Sequence, residues 1–364
     1  MEAQRPFLER LGVRTLERRQ DVVVAAGARP LGDGVVHLID ATERAALRRI
    51  ERLALTRAAL AGATSALISA LADLCVQEQQ ASRPVLYWGV VAAAGITAAV
   101  LEICFLSFDA LRSVHAMSVA TGGLDDDDAG RRSRVLTSLA RAALEVPNPP
   151  TSAFGVNPHR EANKVLLVSA AVLYKLKVSA TNVILKQVVR RMLGRAAVRS
   201  FLPFVAIPAT AAWDFLVCRL VMREARVRVF GPSLANDVVD RLLPPGHPVS
   251  APLAEALARA AASCVVRSAD LHPNLELLLA ALVARLEVPV PPSVDDSAAF
   301  LALLPSLDEG DASVVRRFLR AATVIGGRVA RRERALLKDA QAWIDGDVEA
   351  ERCRVLAGEP LLLV

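Results

Sequence analysis

The alternation of apolar and polar positions predicts a chain built almost wholly of helices. Asp40 and Glu43 have the spacing of a capping box, and residues 41–80 contain no proline. We therefore expect a helix that begins at Asp40 and continues to about Gln80. Pro84 is tolerated in a first helical turn and should start the next helix. Ala and Leu, which dominate the apolar residues, also favour helices over strands. The sequence therefore predicts an all-α fold.

The first strongly apolar region covers residues 85–101, which are 17 residues without a charge. As a helix this run is about 26 Å long, slightly less than a bilayer core of roughly 30 Å. Glu102, Asp109 and Arg112 follow at spacings of seven and three, which predicts that they share one helical face. Two interpretations stay open. The helix is either partly buried with a polar line paired to a neighbour, or a membrane helix whose acidic residues face a bundle interior.

A second apolar region opens at Lys164 and carries one polar stripe on an otherwise apolar helix. The stripe consists of Lys175, Ser179, Asn182, Lys186 and Arg190. Such a helix is either nearly buried in a bundle or lies in a membrane interface with its cations toward the headgroups. The pattern favours neither alternative.

The third apolar region covers residues 201–222. Pro203 and Pro208 disfavour a regular helix in its first half, and Asp214 interrupts the second half. Arginines flank this region on both sides and favour neither orientation. Re-entrant or interfacial insertion, or burial in a soluble bundle, therefore fits the charges better than two simple crossings by 85–108 and 201–222.

Composition shifts divide the chain into three parts. Residues 1–39 are predicted to be irregular, residues 40–232 to form an apolar helical core, and residues 250–364 to form a C-terminal helical bundle. Within the core, residues 119–162 are predicted to be a break between helices. Pro244–Pro248 resembles a hinge between the second and third parts. The bundle has helical patterns at 251–267, 273–287, 297–305, 311–324 and 329–345.

Charge and cysteine usage narrow the function classes. The net charge is +6, but only 5 of the 44 basic residues are Lys. We attribute this arginine excess to a GC-rich genome, and aromatic residues for stacking bases are few, so we do not expect nucleic-acid binding. The five cysteines show no CxxC spacing, which argues against a disulfide framework and a zinc site. The charged N-terminus has no signal-peptide core, so we expect the bulk of the protein to stay in the cytoplasm.

The candidate functional residues are charges within or beside the apolar regions. Glu102, Asp109 and Asp214 are carboxylates in apolar surroundings, where ionised groups need partners. Arg112 and Arg219 are their predicted partners; structural pairing is favoured over proton or ion handling. A second group is predicted to contact anionic lipid and consists of Lys186, Arg190, Arg191, Arg195 and Arg199.

No catalytic, cofactor or metal site is predicted. The chain has no GxSxG, P-loop or HExxH motif, and its five histidines are isolated. Residues 125–128 are four aspartates, but Ala129 and Leu136 occupy positions where a calcium loop needs oxygen ligands. His272, beside Pro273 and Asn274, is expected to cap a helix start.

Two resemblances extend this picture. Residues 102–123 and 202–232, together with the HPN sequence at 272–274, resemble an uncharacterised bacterial family with a membrane-associated helical core, distantly like EcsC-type proteins. The segment AATVIGGRVARRERALLKDA (321–340) looks like the helix–turn–helix unit of TerB-like tellurite-resistance domains. Glu333 fits a position in that unit, but its acidic turn is replaced by Gly326-Gly327, which argues against metal binding.

These observations favour a non-enzymatic helical protein on the cytoplasmic side of a bacterial inner membrane. Membrane lipid is its expected partner, and the C-terminal bundle would serve as a protein-interaction module. The TerB-like resemblance implies a role in envelope or stress response. Two alternatives stay open: a soluble all-α enzyme or lipid or small-molecule binder with an apolar cavity, and a nucleic-acid-binding regulator.

Overall fold

The computed structural model of the chain describes residues 7–25, 39–122, 129–146, 148, 152, 154–161, 202–246, 248–286, 293–343 and 346–363. The helices in these ranges are α1 (Phe7–Ala25), α2 (Ala41–Val76), α3 (Gln79–Ser82), α4 (Pro84–Ala120), α5 (Ala129–Ala143), α6 (Leu202–Leu242), α7 (Ala251–Ser268), α8 (Pro273–Leu286), α9 (Ser297–Leu303), α10 (Glu309–Val324), α11 (Arg331–Asp339) and α12 (Asp347–Ala357). No β-strand occurs in the described ranges, which confirms the all-α prediction.

The predicted start signals of the two long helices are confirmed. The backbone N–H of Glu43 donates to Asp40 Oδ1 at 2.7 Å, and the N–H of Asp40 donates to Glu43 Oε2 at 2.9 Å. This reciprocal pair is the predicted capping box of α2. Pro84 begins α4, as expected for a residue that lacks the N–H that a first turn leaves unused.

Three segments differ from the sequence-based expectation. Helix α1 lies in the segment predicted to be irregular; it buries Val13 and Leu16, and it contacts α5. Helix α5 itself lies within the predicted break at 119–162. Helix α6 continues through residues predicted to disfavour it, because Pro203 falls in its first turn and Pro208 removes only one helical hydrogen bond.

The chain divides into two compact units. Unit 1 comprises residues 1–47, 114–164 and 223–364, and unit 2 comprises residues 48–113 and 165–222. This division differs from the predicted domains because α2, α4 and α6 each run from one unit into the other.

Unit 1 is organised around α7. This alanine-rich helix buries 12 of its residues and contacts α8, α9, α10 and α11. Ser250 caps its first turn by accepting a hydrogen bond from the Leu253 N–H at 3.2 Å. The predicted C-terminal helices are confirmed in outline, although α11 is shorter than predicted and α12 was missed.

Candidate functional site: the exposed apolar helices

Unit 2 exposes large apolar side chains on its surface. Val85 is 87% exposed and Ile96 is 66% exposed. The same exposure recurs along α2, α4 and α6, at Leu53, Leu60, Leu67, Leu71, Trp88, Val100, Leu101, Ile103, Phe105, Phe108, Phe215, Leu216 and Leu220. Single exposed apolar residues are ordinary on soluble proteins, but an extended apolar surface marks contact with another apolar phase or a partner.

Within unit 2, the buried positions of α2 are small instead of large. Every fourth residue of α2 from Ala54 through Ala58, Gly62 and Ala66 to Ala70 is buried. A spacing of four keeps these residues in one row along the helix. Membrane helices that pack together show this arrangement: small residues lie between the helices and let them approach closely, and large apolar residues face outward.

Gly62 marks the closest approach of α2 to α6. A Cβ atom at Gly62 would lie 2.9 Å from the carbonyl oxygen of Thr210 and would collide with the carboxylate of Asp214. Asp214 is buried in this contact. The missing Cβ atom of Gly62 leaves the room that this carboxylate occupies.

Asp109 forms an ion pair with an arginine of another helix. Arg57 Nε of α2 lies 2.8 Å from Asp109 Oδ1, and Arg57 Nη2 donates to Ser113 Oγ at 3.1 Å. The predicted partner, Arg112, is exposed and does not share the buried face of Asp109. A partner from another helix could not be found by spacing along α4 alone.

The other predicted charges are not brought together into one cluster. Glu102 is buried, and its Oε2 atom has no hydrogen-bond partner in the part of the chain that the structure describes. An unpartnered carboxylate oxygen is costly to bury. Arg219 is exposed. The predicted lipid-binding residues Lys186, Arg190, Arg191, Arg195 and Arg199 lie outside the described residues.

The two long helices are also joined at the opposite end, near the polar turn at residues 77–83. Tyr87 of α4 donates its hydroxyl hydrogen to Asp73 Oδ1 of α2 at 2.5 Å. Trp88 packs edge-on against Tyr87, with ring centroids 5.1 Å apart, and is itself exposed. Because Arg57 pairs with Asp109 and Asp73 with Tyr87, α2 and α4 form an antiparallel hairpin.

By length and composition, α2 and α4 are the two described helices that could cross a membrane. Only 22% of the most apolar 18-residue stretch of α2 is buried, and 11% of that of α4. The apolar runs that the sequence offered as possible crossings were 85–108 and 201–222; α2, whose apolar positions are interrupted by Arg57 and Asp73, was not among them. The row of small residues every fourth position was the signal that could have identified it.

Unit 1 places the HPN sequence at a helix junction. His272 Nδ1 accepts a hydrogen bond from the Asn274 N–H at 3.2 Å, and the His272 carbonyl oxygen accepts from the Leu275 N–H at 2.9 Å. The predicted capping role of His272 is therefore confirmed. Its other ring nitrogen, Nε2, lies 3.2 Å from Glu224 Oε1, so the Nε2–H donates to that carboxylate.

In the segment that resembles a TerB-like unit, Glu333 caps the start of a helix. Glu333 Oε2 accepts a hydrogen bond from the Ala330 N–H at 2.6 Å at the start of α11. The described residues contain no group of three His, Cys, Asp or Glu side chains that could hold a metal ion.

Comparison with known proteins identifies no relative: no family model, curated protein or solved structure matches the chain. The EcsC-like and TerB-like resemblances therefore stay predictions.

Proposed function

We propose that α2 and α4 form a hairpin that crosses a membrane and that unit 1 is a non-enzymatic interaction module held at the membrane surface. The observation that carries this proposal is the distribution of side chains in unit 2, where the buried residues of α2 are small and large apolar residues of α2 and α4 are exposed. A bilayer would cover that outer surface, whereas water would leave it unfavourably solvated.

The dimensions of the hairpin fit a bilayer. From Leu53 to Val76, α2 is about 36 Å long, and from Pro84 to Phe108, α4 is about 38 Å long, at roughly 1.5 Å per residue. Both lengths exceed the roughly 30 Å of a hydrocarbon core. Tyr87 and Trp88 stand beside the polar turn, where aromatic side chains favour the membrane interface.

The two ends of the hairpin differ in charge, and this difference supports an orientation. We call the end of the hairpin opposite the turn its open end. Near this open end, unit 2 exposes five arginines, Arg48, Arg49, Arg52, Arg112 and Arg219. The turn at residues 77–83 carries one acidic residue, Glu78, and one basic residue, Arg83. Positive charge accumulates on the cytoplasmic side of membrane helices. We therefore propose that the open end lies on the cytoplasmic side and the turn on the other side.

Charged substitutions on the exposed face test the proposal. The chain and its Ile96→Lys, Val100→Lys double variant would be produced in a bacterial host, and membranes would be washed with high salt and then with alkaline carbonate. The unmodified chain should stay in the membrane through both washes. The double variant should be released, since each lysine at the centre of a membrane helix costs about 2.5–3.5 kcal/mol.

The matched control is the double variant Leu11→Lys, Leu362→Lys, which alters two exposed apolar residues of unit 1. It should fractionate like the unmodified chain. Recovery of the unmodified chain in the soluble fraction would overturn the proposal and favour a soluble helical binder. Release by salt alone would replace insertion with an electrostatic surface contact.

A further inference from the structure

We propose that unit 1 contains a binding site for a small zwitterion of the α-amino-acid class, in the cavity between α5 and the first turns of α8. This inference does not depend on the membrane proposal, because the residues that line the cavity all belong to unit 1.

The cavity has the size and lining of a small-molecule site. Its volume is about 380 Å³, within the roughly 300–1,000 Å³ typical of ligand pockets. Its apolar wall includes Phe154, Leu277 and Ala280. Its polar wall includes Thr137 and Ser138 of α5, whose hydroxyl oxygens are buried and have no hydrogen-bond partner among the described residues.

Two of the three arginines in the lining are already occupied by protein groups. Arg141 donates from Nε and Nη2 to Glu9 Oε2, at 2.9 Å and 2.6 Å. Arg228 donates to Glu224 at 3.0 Å and to the Ser138 carbonyl oxygen at 2.7 Å. Arg228 and Glu9 are both buried. These pairs hold one side of the cavity rigid before any ligand arrives.

Arg134 and Glu276 are the ionisable lining residues with neither a hydrogen bond nor an ion pair within the part of the chain that the structure describes. Arg134 is exposed and Glu276 is half-buried. Burial raises the pKa of Glu276, and the positive charges of Arg134 and Arg141 act against that rise, so the carboxylate lies within electrostatic reach of both guanidinium groups.

These unused groups define the chemistry of the ligand. A carboxylate on the ligand would form a charge-assisted pair with Arg134, and an ammonium group would pair with Glu276. A purely anionic ligand would be repelled by Glu276, and a purely cationic ligand would be repelled by Arg134. The apolar wall has room for a short aliphatic or aromatic side chain. A zwitterion with an apolar side chain therefore satisfies each part of the cavity.

Binding by the purified full-length chain in detergent tests this inference. Alanine, valine, leucine, methionine and phenylalanine would be titrated by calorimetry, and the tightest ligand would then be compared with its N-acetyl and amide derivatives. These derivatives remove one charge each and leave the side chain intact. We expect the free amino acid to bind at least tenfold more tightly than either derivative.

Variants locate the site. Arg134→Gln and Glu276→Gln should each weaken binding at least tenfold, whereas Arg317→Gln, an exposed arginine of α10, should leave it unchanged. Circular dichroism would check that each variant folds, and the comparison of derivatives needs no variant. The inference is overturned if no amino acid binds, if the N-acetyl derivative binds as well as the parent, or if both cavity variants bind normally.

Discussion

The side chain of Asn274 fills the space that Gly231 leaves open by having no Cβ atom. Asn274 is fully buried, and its Nδ2 group donates to the carbonyl oxygens of Val227 at 2.8 Å and of Ile325 at 2.9 Å. A Cβ atom at Gly231 would lie 2.6 Å from Asn274 Cγ. One amide thus joins α6, α8 and the end of α10, and it brings together two of the stretches that carry the EcsC-like resemblance.

Gly231→Ala should destabilise unit 1, because the added methyl group would collide with the Asn274 amide, which two hydrogen bonds hold in place. We expect a loss of about 1–3 kcal/mol, typical of overpacking a close contact. The measurement is the midpoint of chemical unfolding in detergent, followed by circular dichroism. In an Asn274→Ala background the same substitution should cost clearly less, because the colliding atoms are gone. Equal costs in the two backgrounds would show that the contact does not decide stability.

Gly62→Ala should destabilise unit 2 for the same kind of reason, because its Cβ would meet the Thr210 carbonyl and the Asp214 carboxylate. The expected loss is again roughly 1–3 kcal/mol, measured as thermal unfolding in detergent. Gly89→Ala is the matched control on α4, since its added Cβ would have no described atom within 4 Å apart from its chain neighbours and the backbone of its own helix. A control variant that loses as much stability as Gly62→Ala would contradict the proposed close crossing.

Glu224 should stabilise the folded protein above about pH 4.5 and lose that effect in acid. Burial alone would raise its pKa, but the hydrogen bond from His272 and the positive charges of Arg228 and Arg328 lower the pKa to about 2. A folded-state pKa below the unfolded value adds stability above the unfolded pKa, up to roughly 3 kcal/mol, which is lost as the pH falls toward 2.

The measurement is the difference in unfolding free energy between the unmodified chain and Glu224→Gln. This difference should be large at pH 7 and small at pH 2.5. A difference that does not change between these two pH values would contradict the assigned ionisation of Glu224.

Glu333 should show the opposite pH dependence. Burial is the largest influence and raises its pKa to about 8, although the hydrogen bond from the Ala330 N–H acts against this. A raised folded-state pKa makes the folded protein prefer the protonated acid. The stabilising contribution of Glu333 is therefore fully present below about pH 4.5 and is lost as the pH rises to 8. The loss is up to about 1.4 kcal/mol per pH unit over that window.

Glu333→Gln keeps the acceptor for Ala330 and removes the charge. It should therefore match the unmodified chain at pH 5 and exceed it in unfolding midpoint at pH 9. A variant that is equally or less stable at pH 9 would show that the carboxylate is ionised at little cost.

The sequence predicted those features that depend on neighbours along the chain. The capping box of Asp40 and Glu43, the start of α4 at Pro84 and the cap at His272 each follow from residues within one helical turn, and all are observed. The partner of Asp109 could not be predicted in this way, because Arg57 lies 52 residues earlier on another helix. The cavity between α5 and α8 also depends on tertiary packing, and α5 was itself predicted to be part of a break.

The accessibility of two native cysteines tests the membrane hairpin most directly. Cys104 on α4 and Cys353 on α12 are both exposed on the protein surface. If a bilayer covers α4, a water-soluble maleimide added to opened membranes should modify Cys353 and leave Cys104 unmodified until a denaturing detergent is added. Modification of Cys104 and Cys353 at similar rates in the native protein would mean that water surrounds α4, and the proposed hairpin would be wrong.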